Sequence, residues 1–261
     1  MEILQADQVN PFGAPIVNQP AMATNYESVS DAESQVKNMS FDNQSVRLGF
    51  IRKVYMILLT QLLFTFAVIS LFLSCNHLKR YVQLNQWLLW LAMGIMLITL
   101  IALMCCQAAR RRTPTNYICL GAFTAAQSFM LAIAASHFDL NSVLMAVGLT
   151  AAICLGLTIF ALQTKYDFTM LGGVLVSCMI ALLLFGLAGI FIGGNLVGLM
   201  LSSFSAVLFS VYLIYDTQLM LGGQHQYAIS PEEYIFAALN LYMDIANIFM
   251  DILRILADLQ E

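Results

Sequence analysis

Residues 86–106 read QWLLWLAMGIMLITLIALMCC, a run of 21 residues without one charged side chain. A helix rises about 1.5 Å per residue, so this run is long enough to cross the ~30 Å hydrocarbon layer of a bilayer. It is one of seven apolar segments, which we place at 54–75, 86–106, 116–136, 141–163, 169–191, 195–219 and 233–256. Each must be helical, because lipid cannot satisfy the backbone of an open strand. The sequence therefore predicts an all-α membrane protein with a seven-helix transmembrane domain at residues 47–261.

The composition excludes several classes of protein. Of the 261 residues, 60% are hydrophobic and only 10% are charged, which is more apolar surface than a soluble core can absorb. The net charge is -4 and the 11 basic residues are scattered, so nucleic acid is not an expected partner. The six cysteines lie in or beside apolar segments without paired spacing. We expect them to be small buried apolar residues and not disulfides or zinc ligands.

Residues 1–46 form a polar stretch before the first apolar segment. They hold six acidic residues, one base and three of the five prolines. This composition predicts a disordered polar tail. No basic stretch followed by an apolar one opens the chain, so we expect the first helix to serve as the targeting signal.

The basic residues predict the orientation. Eight lie on the side of the N-terminal tail and three on the other side, and the positive-inside rule then places the N-terminus in the cytoplasm. Seven crossings would put the C-terminus on the opposite side, whereas a re-entrant seventh segment would return it to the cytoplasm. The brief Gly193-Gly194 break could be a loop between two helices or a kink in one.

Two acids inside the apolar segments are the main site candidates. Asp216 lies near the end of segment six and Asp244 near the middle of segment seven. An Asp near the bilayer centre costs about 2.5 to 3.5 kcal/mol, so both side chains should face protein or water. Helical spacing places further polar residues on the same faces: Ser202, Ser205 and Tyr212 with Asp216, and Asn240, Asn247 and Asp251 with Asp244.

If the two polar faces meet, Asp216 and Asp244 could share a proton and titrate as a unit. Each could instead hydrogen-bond to a nearby Tyr, Asn or Thr. Arg254 stands three residues after Asp251, a spacing that favours a local ion pair near the membrane surface.

Enzymatic motifs are lacking. The sequence has no GxSxG, HExxH, phosphate-binding lysine loop or dinucleotide fingerprint. Two Asp on neighbouring helices superficially match an intramembrane aspartyl protease, but its GxGD context is missing around both. We expect no enzyme activity and no cofactor.

Three stretches carry a family resemblance. They are Tyr212-Leu213-Ile214-Tyr215-Asp216-Thr217-Gln218, Ile229-Ser230-Pro231-Glu232-Glu233-Tyr234 and Ala237-Ala238-Leu239-Asn240-Leu241-Tyr242-Met243-Asp244-Ile245. Together they resemble the C-terminal signature of the Lifeguard branch of the transmembrane Bax inhibitor motif proteins. Phe41-Asp42 through Arg47 and Gly49 to Tyr55 are similar to that branch's first helix. The likeness covers about residues 41–256.

The resemblance implies a bundle with Bax-inhibitor-like topology, in which Asp216 and Asp244 form a pH-sensitive pair gating a calcium leak. It also implies suppression of cell death. In relatives, a base ten positions after the second Asp can help close the exit, and Arg254 stands there as a possible latch. No acid at the start of segment two matches the partner expected for it.

We therefore expect a pH-sensitive calcium leak channel of the endoplasmic reticulum or Golgi membrane that lowers store calcium and suppresses apoptosis. Asp216 and Asp244 would bind the transported Ca²⁺ weakly, because two carboxylates supply only part of its shell of six to eight oxygens. An alternative is a non-conducting adaptor that binds death-regulatory membrane proteins. A seven-helix receptor is disfavoured by the short loops on both sides.

Overall fold

The computed structural model describes residues 23–222 and 227–259, and over these residues the chain is helical with no strand. Nine α-helices follow one another: α1 (Ala23–Ser74), α2 (Asn76–Leu84), α3 (Trp87–Cys105), α4 (Gln107–Arg111), α5 (Thr115–Ala135), α6 (Leu140–Gln163), α7 (Gly172–Ile192), α8 (Asn195–Leu221) and α9 (Tyr234–Asp258). Short 3₁₀ turns at Phe168–Leu171 and Pro231–Glu233 precede α7 and α9.

Seven helical stretches are long and apolar enough to cross a membrane, which confirms the predicted fold class. They are Ser45–Ser74, Trp87–Cys105, Thr115–Ala135, Leu140–Gln163, Phe168–Gly189, Asn195–Leu221 and Pro231–Asp258. The largest difference from the prediction is at the first segment, which begins nine residues before Val54. Phe50 and Val54 are both buried there, so packing against the bundle extends the helix beyond the purely apolar run.

The residues before Arg47 form a unit separate from the compact one that starts at Arg47. The predicted disordered tail, residues 1–46, falls partly on residues 1–22, which lie outside the described residues. Helix α1 is assigned from Ala23. Disorder of this stretch stays a prediction.

Two open questions about the helices are answered by the backbone. The helical conformation is interrupted between α7 and α8, because Gly193 (φ 67°) and Gly194 (φ 103°) adopt positive φ values that residues with side chains disfavour. The break is therefore a loop between two helices and not a kink in one. Helix α9 is one unbroken helix of 25 residues, about 37 Å long, with no break at which the chain could turn back within the bilayer.

Helix α9 lies at the centre of the bundle and packs against α5, α6 and α8. Its Tyr242 is fully buried, and the hydroxyl lies 2.9 Å from Thr65 of α1 and 3.4 Å from Ser128 of α5. Helices α3 and α7 expose most of their apolar side chains, as helices facing lipid do. The core is thus built around the last and most polar of the spans.

Side-chain contacts join the connections at the two ends of the bundle. At one end, the Arg47 guanidinium donates to the carbonyls of Leu221 (2.9 Å) and Ile229 (2.7 Å). At the other end, Lys79 donates to the carbonyl of Ser136. Arg110 and Arg111 lie near the start of α9, at the same end of the bundle as Arg47. Three of the eight bases counted on the side of the N-terminal tail therefore lie at one end. That this end faces the cytoplasm stays a prediction.

The expectation that the cysteines are buried is wrong. Cys105 and Cys106 are exposed, and Cys75, Cys119, Cys154 and Cys178 are half-buried. A chain embedded in lipid can present small apolar side chains outward, which composition alone does not reveal. All six are free thiols.

Candidate functional site

The structure brings Asp216 of α8 and Asp244 of α9 together. Both are buried, at 7% and 4% exposure, and their carboxyl groups are within hydrogen-bonding reach of each other. The second oxygen of Asp244, Oδ2, is buried and has no hydrogen-bond partner among the described residues. Two carboxyl groups can share a hydrogen bond only when a proton lies between them. The geometry is therefore that of a carboxyl pair holding at least one proton.

Neighbouring side chains surround the pair from three helices. Asn240, one turn before Asp244, hydrogen-bonds to Asp216. The half-buried Tyr212, one turn before Asp216, lies close enough to interact electrostatically with both acids. From α6, Cys154 interacts with Asp244. These neighbours are uncharged, and among the described residues no basic group is found interacting with the pair to neutralise a second negative charge.

The backbone after Asp216 is fixed by buried hydrogen bonds. Thr217 donates to the carbonyl of Leu213, one turn back, at 2.6 Å. The fully buried Gln218 donates to the carbonyl of Tyr166 (3.0 Å) and accepts from the amide of Phe168 (2.8 Å). Gln218 therefore ties α8 to the connection between α6 and α7, just after the acid.

Gly222 ends α8 with a φ of 58°, a left-handed conformation that suits glycine. The Arg47 guanidinium lies directly over this glycine, where a side chain would collide with it. The last turn of α8 is held from the side of α1, and this fixes the end of the helix that carries Asp216.

The start of α9 is fixed by charge. Ser230 accepts from the amide of Glu232 at 3.4 Å, and Pro231 follows as the first residue of the turn. Glu233 forms salt bridges with Arg110 (2.9 Å) and Arg111 (2.6 Å). These contacts hold the beginning of the helix that carries Asp244 against α4.

The far end of the predicted polar stripe makes a second contact between α8 and α9. Asp251 is buried and hydrogen-bonds to Ser205, two turns or more from the pair. Asn247, between the two contacts, donates to the carbonyl of Met243 in its own helix at 2.8 Å. Among the described residues of the stripe, Asn240, Asp244 and Asp251 therefore reach across to α8, whereas Asn247 bonds within its own helix.

Arg254 is exposed, and the salt bridges found in residues 23–222 and 227–259 do not join it to Asp251. It influences Asp251 only electrostatically. The local ion pair that the spacing predicted is not formed, because Asp251 turns inward to Ser205 while Arg254 faces outward. The described residues likewise give no contact between Arg254 and the acid pair, so the latch stays a prediction.

The sequence does not predict the contacts that three residues make around the acid pair and the polar stripe. Ser205 was placed on the right face but not given a partner, and Gln218 and Cys154 were given no role. No spacing rule predicts their contacts, because these depend on how α6 and α8 are rotated against α9. Within the described parts of the chain, no three His, Cys, Asp or Glu residues cluster to hold a metal ion. Any cation at the pair would meet only two carboxylates, with Asn240 and Tyr212 as further oxygen donors.

Comparison with known proteins gives consistent matches. The family model described as "Inhibitor of apoptosis-promoting Bax1" matches residues 47–261. The chain is 36% identical to human "Protein lifeguard 3", covering 87% of this chain and 76% of the relative. It is 35% identical to the mouse protein of that name, covering 90% and 80%. It is also 36% identical to the "Golgi anti-apoptotic protein" of vaccinia virus (strain Lister), covering 88% and 93%.

Proposed function

We propose a function from the premise that this chain belongs to the Bax inhibitor family, within its Lifeguard branch. We infer that it is an anti-apoptotic membrane protein and that it acts as a pH-sensitive calcium leak channel of an intracellular membrane. The observation that carries the ion-leak proposal is the buried carboxyl pair of Asp216 and Asp244.

The shared proton supplies the switch. With a proton between the two carboxyl groups, a hydrogen bond holds α8 to α9 at this point. Without it, two negative charges lie in contact in a poorly solvated place and repel each other strongly. The bundle then favours an arrangement in which these helices separate, so the state of the pair is coupled to the proton concentration.

Calcium competes for the deprotonated pair. Ca²⁺ prefers six to eight oxygen ligands, and the pair with Asn240 and Tyr212 supplies a partial shell that water would complete. Such a site binds weakly, which is what a conducting path needs for the ion to leave again. Acid and calcium should therefore act in opposition at this site.

The anti-apoptotic role and the location draw on the relatives. The viral relative carries both "Golgi" and "anti-apoptotic" in its name. We infer that this protein resides in the Golgi or endoplasmic reticulum membrane with its N-terminus in the cytoplasm. There, a leak would lower store calcium and so weaken calcium-dependent death signals.

The test is calcium flux from purified protein in liposomes, measured between about pH 6 and 8. Asp216→Asn and Asp244→Asn should each flatten the pH dependence of flux, because an amide cannot share a proton as a carboxyl does. The double variant should resemble the singles, since either change already breaks the pair. Asp139→Asn removes an exposed acid before α6 and serves as the control that keeps the wild-type profile.

An unchanged pH profile in both single variants would remove the pair from the account of gating. Absence of flux from the wild-type protein at every pH would favour the competing function, a non-conducting adaptor for death-regulatory membrane proteins. The two results are distinct, because the first leaves the channel in place and the second does not.

A further inference from the structure

An apolar crevice separates α1 from α6 and continues inward to α8 and α9. Its main chamber has a volume of about 540 Å³ and is lined on α1 from Tyr55 to Ile69. A smaller chamber of about 180 Å³ is lined on α1 from Phe66 to Ser74. The two chambers share Phe66, Ile69 and Val147 as lining residues, so they are adjacent along α1.

The crevice is long and narrow. From Tyr55 to Ile69 the main chamber follows α1 for about 21 Å, and the two chambers together follow it for about 29 Å. That length is close to the ~30 Å thickness of the hydrocarbon layer. The crevice is therefore nearly as long as the hydrocarbon layer is thick.

The mouth of the crevice opens toward the bilayer. Leu63 and Leu155 line it and are 61% and 66% exposed on membrane-spanning helices. Its floor is protein core, because Leu213 and Leu241 also line it and are each 2% exposed. Water does not fill an apolar space of this kind, so what enters from the mouth is hydrocarbon.

One end of the main chamber carries hydroxyl groups. Tyr55 hydrogen-bonds to Thr158, and both residues line the chamber. Thr158 lies five residues before the end of α6, about 7.5 Å from the helix end, so this hydrogen bond lies toward one end of the span. Thr65, Thr150 and Thr217 also line the chamber, but most of its wall is apolar, and the hydroxyls of Tyr55 and Thr158 mark the end at which α1 enters it.

We propose that the main chamber is a binding site for one acyl chain of a bilayer phospholipid, which enters between α1 and α6 with its ester end beside Tyr55 and Thr158. The elongated shape suits a single chain.

The bound chain would lie beside the acid pair without touching it. Cys154, which interacts with Asp244, lines the crevice, and so does Thr217, which follows Asp216. The site does not rest on the proposed ion leak, because its volume, mouth and floor are features of the packing alone.

The experiment uses the full chain in phosphatidylcholine liposomes that contain a phosphatidylcholine with a diazirine in its acyl chain. After illumination, mass spectrometry locates the adducts. A bound chain should label the floor residues Leu213 or Leu241, which a lipid lying on the outer surface cannot reach. Labelling confined to exposed side chains, evenly on all outer helices, would overturn the site.

A matched pair of variants tests whether the acyl chain binds in the crevice. Ala151 lines the crevice from an exposed position on α6, and its neighbour Ala152 is exposed but does not line it. Ala151→Trp should fill the mouth and lower floor labelling by at least about tenfold, while Ala152→Trp leaves it unchanged. Equal labelling in both variants would contradict the proposal. Ala151→Leu provides a milder filling if the tryptophan variant does not fold, and should lower the floor labelling in the same direction.

A free fatty acid has the same chain chemistry as a phospholipid, so a separate labelling experiment must distinguish the two. A diazirine fatty acid is added to liposomes of plain phosphatidylcholine at the same molar amount. Floor labelling by the phospholipid probe supports the proposal, and floor labelling by the fatty acid alone refutes it. Cross-linking of a second protein helix into the chamber in cell membranes, with no floor adduct of lipid, would refute it too.

Discussion

Glu233→Gln tests how the start of α9 is held. The wild-type carboxylate forms salt bridges with Arg110 at 2.9 Å and Arg111 at 2.6 Å, and the Glu233 side chain is only 11% exposed. The Arg110 side chain is 15% exposed. The variant keeps the shape of the side chain and removes its charge, so one arginine loses its partner where water replaces it poorly.

The expected loss of unfolding free energy in this variant lies between two limits. Exposed pairs are worth about 0–1 kcal/mol, and removing one partner of a buried pair costs about 3–5 kcal/mol. The glutamine oxygen can still accept from one arginine, so we expect a loss of about 2 kcal/mol in the free energy of unfolding. For a chain of this size that corresponds to a fall in Tm of about 4–8 °C.

The chain supplies its own control at the neighbouring position. Glu232 lies 3.4 Å from Arg111, with side chains 73% and 40% exposed, so Glu232→Gln should cost less than about 1 kcal/mol. Thermal unfolding of both variants in detergent micelles, followed by helical ellipticity, measures the difference. Equal Tm values for the two variants would refute the reasoning, since burial would then have no influence on these pairs.

Four further outcomes follow from the same reasoning. Asn38 and Asn43 stand in glycosylation acceptor sequences and should be unmodified in cells, because a cytoplasmic tail never meets the glycosylation machinery; glycan at either would overturn the orientation. Gly222→Ala should lower Tm through a cost of about 1–2 kcal/mol, since its φ of 58° disfavours a side chain; an unchanged Tm would contradict this. Tyr242→Phe should cost about 1 kcal/mol of unfolding free energy by chemical denaturation, because a buried hydroxyl contact is lost; no change would show that Thr65 and Ser128 satisfy each other fully. Arg254→Gln should leave liposome flux almost unchanged, whereas a channel open at every pH would establish the latch.

Much of the fold follows from the sequence because lipid leaves few choices. An apolar run such as residues 86–106 must be a helix, and its length sets where it ends. The first segment was placed too short for the same reason. Its polar start at Ser45 is helical through packing of Phe50 and Val54, which hydropathy alone does not register.

The site was partly predictable for a different reason. Polar residues repeating at helical spacing cannot face lipid, so the faces bearing Asp216 and Asp244 were expected to meet, and the structure places the two carboxyls together. Which other residues contact each other across the interface depends on how each helix is rotated about its axis. Asp251 therefore found Ser205 across the interface in place of Arg254 along its own helix.

The central position of α9 has a consequence for biogenesis. Membrane proteins emerge from the ribosome in chain order, and early segments organise before late ones exist. In this protein the six earlier spans are inserted before α9, around which the core is built. Until α9 is present, Thr65 and Ser128 lack their contact with the Tyr242 hydroxyl. The contacts that close the bundle join residues more than 100 positions apart, including Arg47 with Ile229 and Arg111 with Glu233. Nascent chains stalled before α9 are therefore open assemblies with polar groups facing lipid, and membrane quality control should recognise them as unfinished.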